Sequence, residues 1–199
     1  GSFTEPPEFN GLSHLFEHMF FKSNLAVRLM QCENAPPANR SSPNYFARCG
    51  EALKLKPQIG DLAYLKDSNQ LVFANGTTRE EVVNYFYTVT SPYLAAAIRQ
   101  INDSVRYPAF DETDFANEKQ VVIAELDRHE ANPYQYLDLT MREKLFYKYP
   151  TRKNPGGTRA SVAAATTEQM RLIQSRYYVP NNAALVVTGD VKPDEVFRL

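Results

Sequence analysis

Gly11-Leu12-Ser13-His14-Leu15-Phe16-Glu17-His18-Met19-Phe20-Phe21-Lys22 is the stretch from which the fold is read. Leu12, Leu15, Phe16, Met19 and Phe20 recur at helical spacing and make one apolar stripe. Asn10 stands where an N-cap belongs, so a helix is expected from there to about Phe21. On such a helix His14 and His18 stack on one face, about 6 Å apart along the axis. Two imidazoles so placed converge on one metal ion. Zn²⁺, with nitrogen ligands at about 2.0–2.1 Å, is the metal most often held this way. Glu17 shares that face and can reach a water at the metal without being a ligand. The string is H-x-x-E-H, the inverse of the H-E-x-x-H zinc signature. The bland alternative is an amphipathic core helix. It accounts for the apolar stripe but not for the polar face.

Composition narrows the classes. The chain has 199 residues, enough for one large domain or two small ones. It is 43% hydrophobic and 23% charged with a net charge of −1, which is ordinary for a globular protein. No basic patch suggests a nucleic-acid surface. No apolar run approaches the roughly 18 residues that cross a bilayer. No G-x-G-x-x-G or P-loop string points to a nucleotide cofactor. The opening Gly1-Ser2-Phe3-Thr4-Glu5 reads as mid-domain or as following a removed tag, and both ends are expected to be truncated. Cys32 and Cys49 form no C-x-x-C pair. A disulfide in an exported protein and two unpaired thiols fit them equally well. Asn39-Arg40-Ser41, Asn75-Gly76-Thr77 and Asn102-Asp103-Ser104 match the glycosylation pattern without a secretory context that would use it.

Along the chain, Ala35 to Asn44 is turn-forming and is expected to be an exposed loop. Asn44 to Leu53 suggests a short helix, and Gln58 to Leu65 is ambiguous. Gln70 to Ala74 reads as a strand ending near Asn75-Gly76. Val82 to Thr90, rich in β-branched and aromatic residues, reads as its antiparallel partner. A helix is expected with Ser91 as cap and Pro92 at its first position. Asp111 caps a long helix to about Glu130, and another helix follows Pro133. Pro150 to Gly157 is a loop, and Thr167 starts a helix to about Tyr178. Ala183-Ala184-Leu185-Val186-Val187-Thr188-Gly189 reads as a buried strand, and Pro193 as the start of a helix. The pattern is α+β: an antiparallel sheet with helices packed on one side.

A catalytic zinc site usually takes three protein ligands and leaves the fourth position to water. Glu118 and Glu125, two helical turns apart, project from one side of the long helix, beside Val121, Val122 and Leu126. Carboxylates among apolar residues need a cation. Solvated glutamates on a surface helix are the other reading, and spacing leaves both open. His129 is read as a solvated surface residue.

These stretches resemble the M16 metallopeptidases, the inverzincins that include pitrilysin, insulin-degrading enzyme and the mitochondrial processing peptidase. Gly11 to Lys22 resembles the family's active-site helix almost residue for residue. Asn75-Gly76-Thr77-Thr78 resembles its Asn-x-x-Thr segment on the active-site strand. Phe115 to Glu125 resembles its second active-site helix, with both glutamates in place. Tyr178 to Asn182, leading into Leu185 to Asp190, resembles the end of the family's repeating domain.

The resemblance implies a single N-terminal domain of an M16 half across 1–199, with His14, His18 and Glu125 as ligands of Zn²⁺ and Glu17 as general base. It implies that Glu118 orients a ligand from behind and that Asn75 lies near the backbone of a bound peptide. The chain departs from the family in the length between His18 and Glu125, about thirty residues more than usual. The excess falls at about 24–69 and is read as a surface insertion near the mouth of the site, which costs little stability. Family members close two such domains on substrate, so a second M16-type domain or a partner subunit is expected. The implied activity is zinc-dependent endopeptidase action on peptides or unfolded polypeptides, with little turnover from this domain alone. The alternatives are a presequence-processing peptidase subunit and an inert structural or regulatory subunit. Inert relatives typically lose site residues that are all present here. The compartment stays open, with the bacterial periplasm favoured over cytoplasm or mitochondrial matrix.

Overall fold

The structure, a computed structural model, describes residues 1–59, 71–148 and 154–199. In chain order the elements are α1 (Leu12–Phe20), α2 (Leu25–Glu33), α3 (Pro43–Ile59), β1 (Leu71–Thr78), β2 (Val83–Val89), α4 (Leu94–Arg106), α5 (Glu112–Ala131), α6 (Pro133–Leu145), α7 (Arg159–Ala164), α8 (Thr167–Tyr177) and α9 (Pro193–Val196). Helices predominate, and the described sheet is the hairpin β1-β2, so the class is α+β. The chain divides into two compact units.

The first unit holds Gly1–Lys22, Asn75–Phe86 and Phe110–Asn182. Its core joins Leu12, Leu15, Phe16 and Met19 of α1 to Phe115, Val122 and Leu126 of α5, and to Val162, Met170 and Ile173 of α7 and α8. Burying one such side chain contributes about 1.5–3 kcal/mol. Aromatic rings fix α1 from behind. Phe16 stacks on Tyr178 with centroids 3.8 Å apart, and Phe20 on Tyr85 at 3.9 Å. The tyrosine hydroxyls meet each other at 2.7 Å, so both polar tips are satisfied inside. α5 starts where Asp111 accepts from the backbone N–H of Thr113 and Asp114. α7 and α8 each open on a capping box, Thr158 with Ser161 and Thr166 with Gln169.

The second unit holds Ser23–Ala74, Tyr87–Ala109 and Ala183–Leu199. There α2 lies on α3 around Leu25, Ala26, Leu29, Ala52 and Ile59. Asn24 caps α2 through Ala26 N and Val27 N. A disulfide joins Cys32 of α2 to Cys49 of α3, with Cα atoms 6.0 Å apart, so the pair left open by the sequence is bonded.

Several elements differ from expectation. Ala183 to Gly189 is not a buried strand: no strand is assigned there, and Leu185 is 56% and Val186 79% exposed. A strand needs a hydrogen-bonded neighbour, and none among the described residues pairs with it. β1 does not stop at Asn75-Gly76 but continues to Thr78, and the turn falls at Arg79 to Val82, where Arg79 N donates to Val82 O. Ser91-Pro92 forms a 3₁₀ turn, and α4 begins only at Leu94. The stretch beyond Ser23 carries two helices, α2 and a much longer α3. Parts of the expected insertion at 24–69 and of the loop Pro150 to Gly157 lie outside the described residues.

Cys49→Ser removes a cross-link closing a 17-residue separation and should lower stability by about 3 kcal/mol. Urea unfolding of this variant, set beside the parent with and without reductant, measures it.

Candidate metal centre

The start of α1 is held by its neighbours, not by Asn10. Gly11 is left-handed at φ 96°, and a Cβ there would come within 2.8 Å of Gly156 O and Gly157 Cα. The cap acceptor is Glu5, only 6% exposed. Its carboxylate accepts from Gly11 N at 2.9 Å, Ser13 N at 2.5 Å and Asn10 Nδ2 at 3.4 Å. An anion here also complements the positive end of the helix dipole. Asn10 spends its amide on Glu5 and on Asn154 O.

With the apolar stripe of α1 turned inward, His14, Glu17 and His18 face a pocket of about 700 Å³. Asn75 to Arg79, Glu118, Glu125, His129 and Asn154 to Gly156 also line it. Every site residue expected from the sequence therefore borders one cavity. Glu125 Oε2 stands 3.6 Å from His14 Nε2 and 3.4 Å from His18 Nε2. All three candidate donor atoms lie within 4.8 Å of one another. Donors bound tetrahedrally at about 2.0–2.1 Å are separated by about 3.3 Å, so the set fits a zinc ion. The rings of His14 and His18 are perpendicular, with centroids 4.8 Å apart.

The charges around the cluster suit that use. Burial, then the charge of His18, lowers the His14 pKa to about 4 against the opposing pull of Glu125. Its imidazole is therefore neutral at pH 7, with a lone pair to give. His14 Nδ1 is buried without a hydrogen-bond partner among the described residues. His18 Nδ1 meets Glu118 Oε2 at 3.0 Å, and Lys22 Nζ donates to Glu118 Oε1 at 2.7 Å. Burial pushes the Glu118 carboxyl up, but the hydrogen bonds from Lys22 and His18 outweigh it and hold it below the usual value. Burial raises the Glu17 pKa, opposed by a hydrogen bond from Thr78 and by the charge of His18. Asn75 turns its Oδ1 to Gly76 N at 2.9 Å.

His129 is half-buried and borders the pocket, which corrects its reading as a solvated surface residue. It lies one turn beyond Glu125 on α5, so its ring follows that carboxylate. Sequence reading missed Glu5 altogether and placed Thr78 only in the Asn-x-x-Thr segment, with no role toward Glu17. Glu5 lies outside the usual cap spacing, and Thr78 follows an Asn-Gly that reads as a turn.

A family model described as insulinase, peptidase family M16, matches residues 1–30, which contain α1 and its cap. The chain is 24% identical over 191 residues to a Bacillus subtilis protein named uncharacterized zinc protease YmxG, spanning 96% of this chain and 39% of that one. Over these first thirty residues the chain is similar to the M16 peptidase family. It spans about two fifths of the length of the curated zinc proteases it matches first. Two crystal structures share its fold. A protease from Helicobacter pylori superposes with a TM-score of 0.67 at 22% identity, over 100% of this chain and 40% of that one. The periplasmic protease PqqL from Escherichia coli gives 0.67 at 21% identity, over 99% of this chain and 19% of that one.

The lowered His14 pKa sets a pH dependence for the metal-free chain. Unfolded His14 takes up its proton near pH 6.5 and the folded form only near 4, so the unfolded state binds more protons in between. Stability should fall as pH drops from about 6.5 to about 4, and His14→Gln should flatten that slope. Urea unfolding in chelator across this range reads both.

Proposed function

We propose that this chain carries the metal centre of a zinc-dependent endopeptidase that hydrolyses peptides or unfolded polypeptides. The observation that supports this most is the convergence of His14, His18 and Glu125 on one point, with Glu17 on the same face of α1. The names of curated relatives such as the Bacillus subtilis zinc protease agree with it. His14, His18 and Glu125 would hold Zn²⁺, which supplies Lewis acidity that polarises a peptide carbonyl and makes water a nucleophile near neutral pH. Glu17 is the base. Its carboxylate takes the proton from water as the oxygen attacks the carbonyl carbon, then returns it to the leaving amine. The raised pKa of Glu17 favours that return. Glu118, anchored by Lys22, holds Nδ1 of His18 and so turns Nε2 toward the centre.

The substrate lies extended beside β1 at Asn75 to Thr78. That strand pairs with β2 on one side, and no strand among the described residues covers the other. An extended peptide can add there through its backbone, with Asn75 beside it. The curated relatives are more than twice as long, so a second domain or partner subunit would complete the peptide chamber. The Cys32–Cys49 disulfide favours an oxidising compartment. A bacterial periplasm fits it, as for the structural neighbour PqqL.

Zinc content and turnover test the reading in the protein that carries this chain. Glu125→Ala should cut zinc affinity at least a hundredfold, while Glu17→Gln should keep the metal and lose peptide hydrolysis. A Glu17→Gln protein that cleaves peptides at the parent rate rejects the base. A parent protein that binds zinc but cleaves no peptide favours an inert subunit.

A further inference from the structure

Side chains along β1 alternate between two faces. Gly76 and Thr78, two apart, face α1. Thr77, between them, accepts a hydrogen bond from Asn84 instead, at 3.4 Å. A Cβ on Gly76 would lie 2.6 Å from Glu17 Cγ and 2.8 Å from Glu17 Oε1, so the strand offers a bare floor on which the glutamate rests. At the end of that floor Thr78 Oγ1 donates to Glu17 Oε2 at 2.5 Å. No donor among the described residues reaches Glu17 Oε1.

A glutamate side chain has three rotors, and fixing it costs about 1.5–2 kcal/mol. α1 holds only its Cα. A threonine suits the task of holding the far end, because branching at Cβ restricts χ1, and Thr78 is the last residue of β1. Thr78 is stiff where Glu17 is loose.

We propose that Thr78 is the positioning residue of the reaction: its hydroxyl pins one oxygen of Glu17 to the strand and leaves the other free for the proton of water. This rests on the peptidase reading above. Gly76 is part of the same device, since the carboxylate reaches Thr78 only across a position without a side chain. The role belongs to the hydroxyl and not to the bulk of the side chain. Valine keeps the shape and β-branching of threonine, and serine keeps the hydroxyl.

In the active, zinc-loaded protein that carries this chain, Thr78→Val should lower kcat about tenfold with KM within about twofold, the size of one lost hydrogen bond. Thr78→Ser should recover most of that rate, and both variants should retain the zinc of the parent. A second readout needs neither zinc nor activity. In the metal-free protein, Thr78→Val, Glu17→Met and the double variant form a cycle on the unfolding equilibrium. The double variant should unfold with a constant at least about fivefold smaller than the product of the single effects. Equal losses from Val and Ser, or an additive cycle with Thr78→Val at the parent rate, overturn the role of Thr78. If Glu17→Gln also turns over at the parent rate, the peptidase reading itself falls.

Discussion

The seam between α1 and α5 carries everything else. Leu12, Leu15, Phe16 and Met19 cannot stay in water, and neither can Phe115, Val122 and Leu126, so the two helices close on each other. Closing buries one side of α1 and leaves the adjacent side, with His14, Glu17 and His18, facing a cavity. The same contact presents Glu118 and Glu125 from α5 across that cavity. Apolar burial, which has no direction of its own, here brings together two imidazoles and two carboxylates a hundred residues or more apart in the chain.

Gathering such a cluster costs free energy. His14 is held neutral by burial, and its Nδ1 has no partner among the described residues. An unsatisfied buried donor costs about 1–3 kcal/mol. Glu118 escapes this through Lys22, whose ammonium pairs with its Oε1 at 2.7 Å. Around the cluster, Glu118 is given a counter-charge, while His14 is kept neutral by burial.

What could be read from the chain follows from how local each device is. α1 and α5 announce themselves through apolar periodicity, and the capping of α5 by Asp111 needs only residues two and three ahead. The shared face of His14, Glu17 and His18 follows from helical geometry alone. Devices that depend on a distant partner were silent. Glu5 caps α1 across a bend that places its carboxylate against Gly11 and Ser13. Asn75-Gly76 looks like a hairpin turn, yet it is strand, because the glycine is needed for clearance from Glu17. Leu185 and Val186 have the composition of a strand, but composition does not provide the neighbour that makes one. The disulfide was undecided for a similar reason: only the packing of α2 on α3 sets whether two cysteines meet.

The backbone at Gly11 touches that at Gly157, and each glycine excludes a side chain at the other: a Cβ on Gly157 would fall 2.8 Å from Gly11 Cα. The first turn of the histidine-bearing helix is thus braced by chain that emerges from the ribosome some 145 residues later. During synthesis all four chemical groups, His14, Glu17, His18 and Glu125, exist well before this brace arrives. Bracing of this turn therefore waits for Gly157, so the cluster of side chains is made first and its support only after most of the surrounding unit.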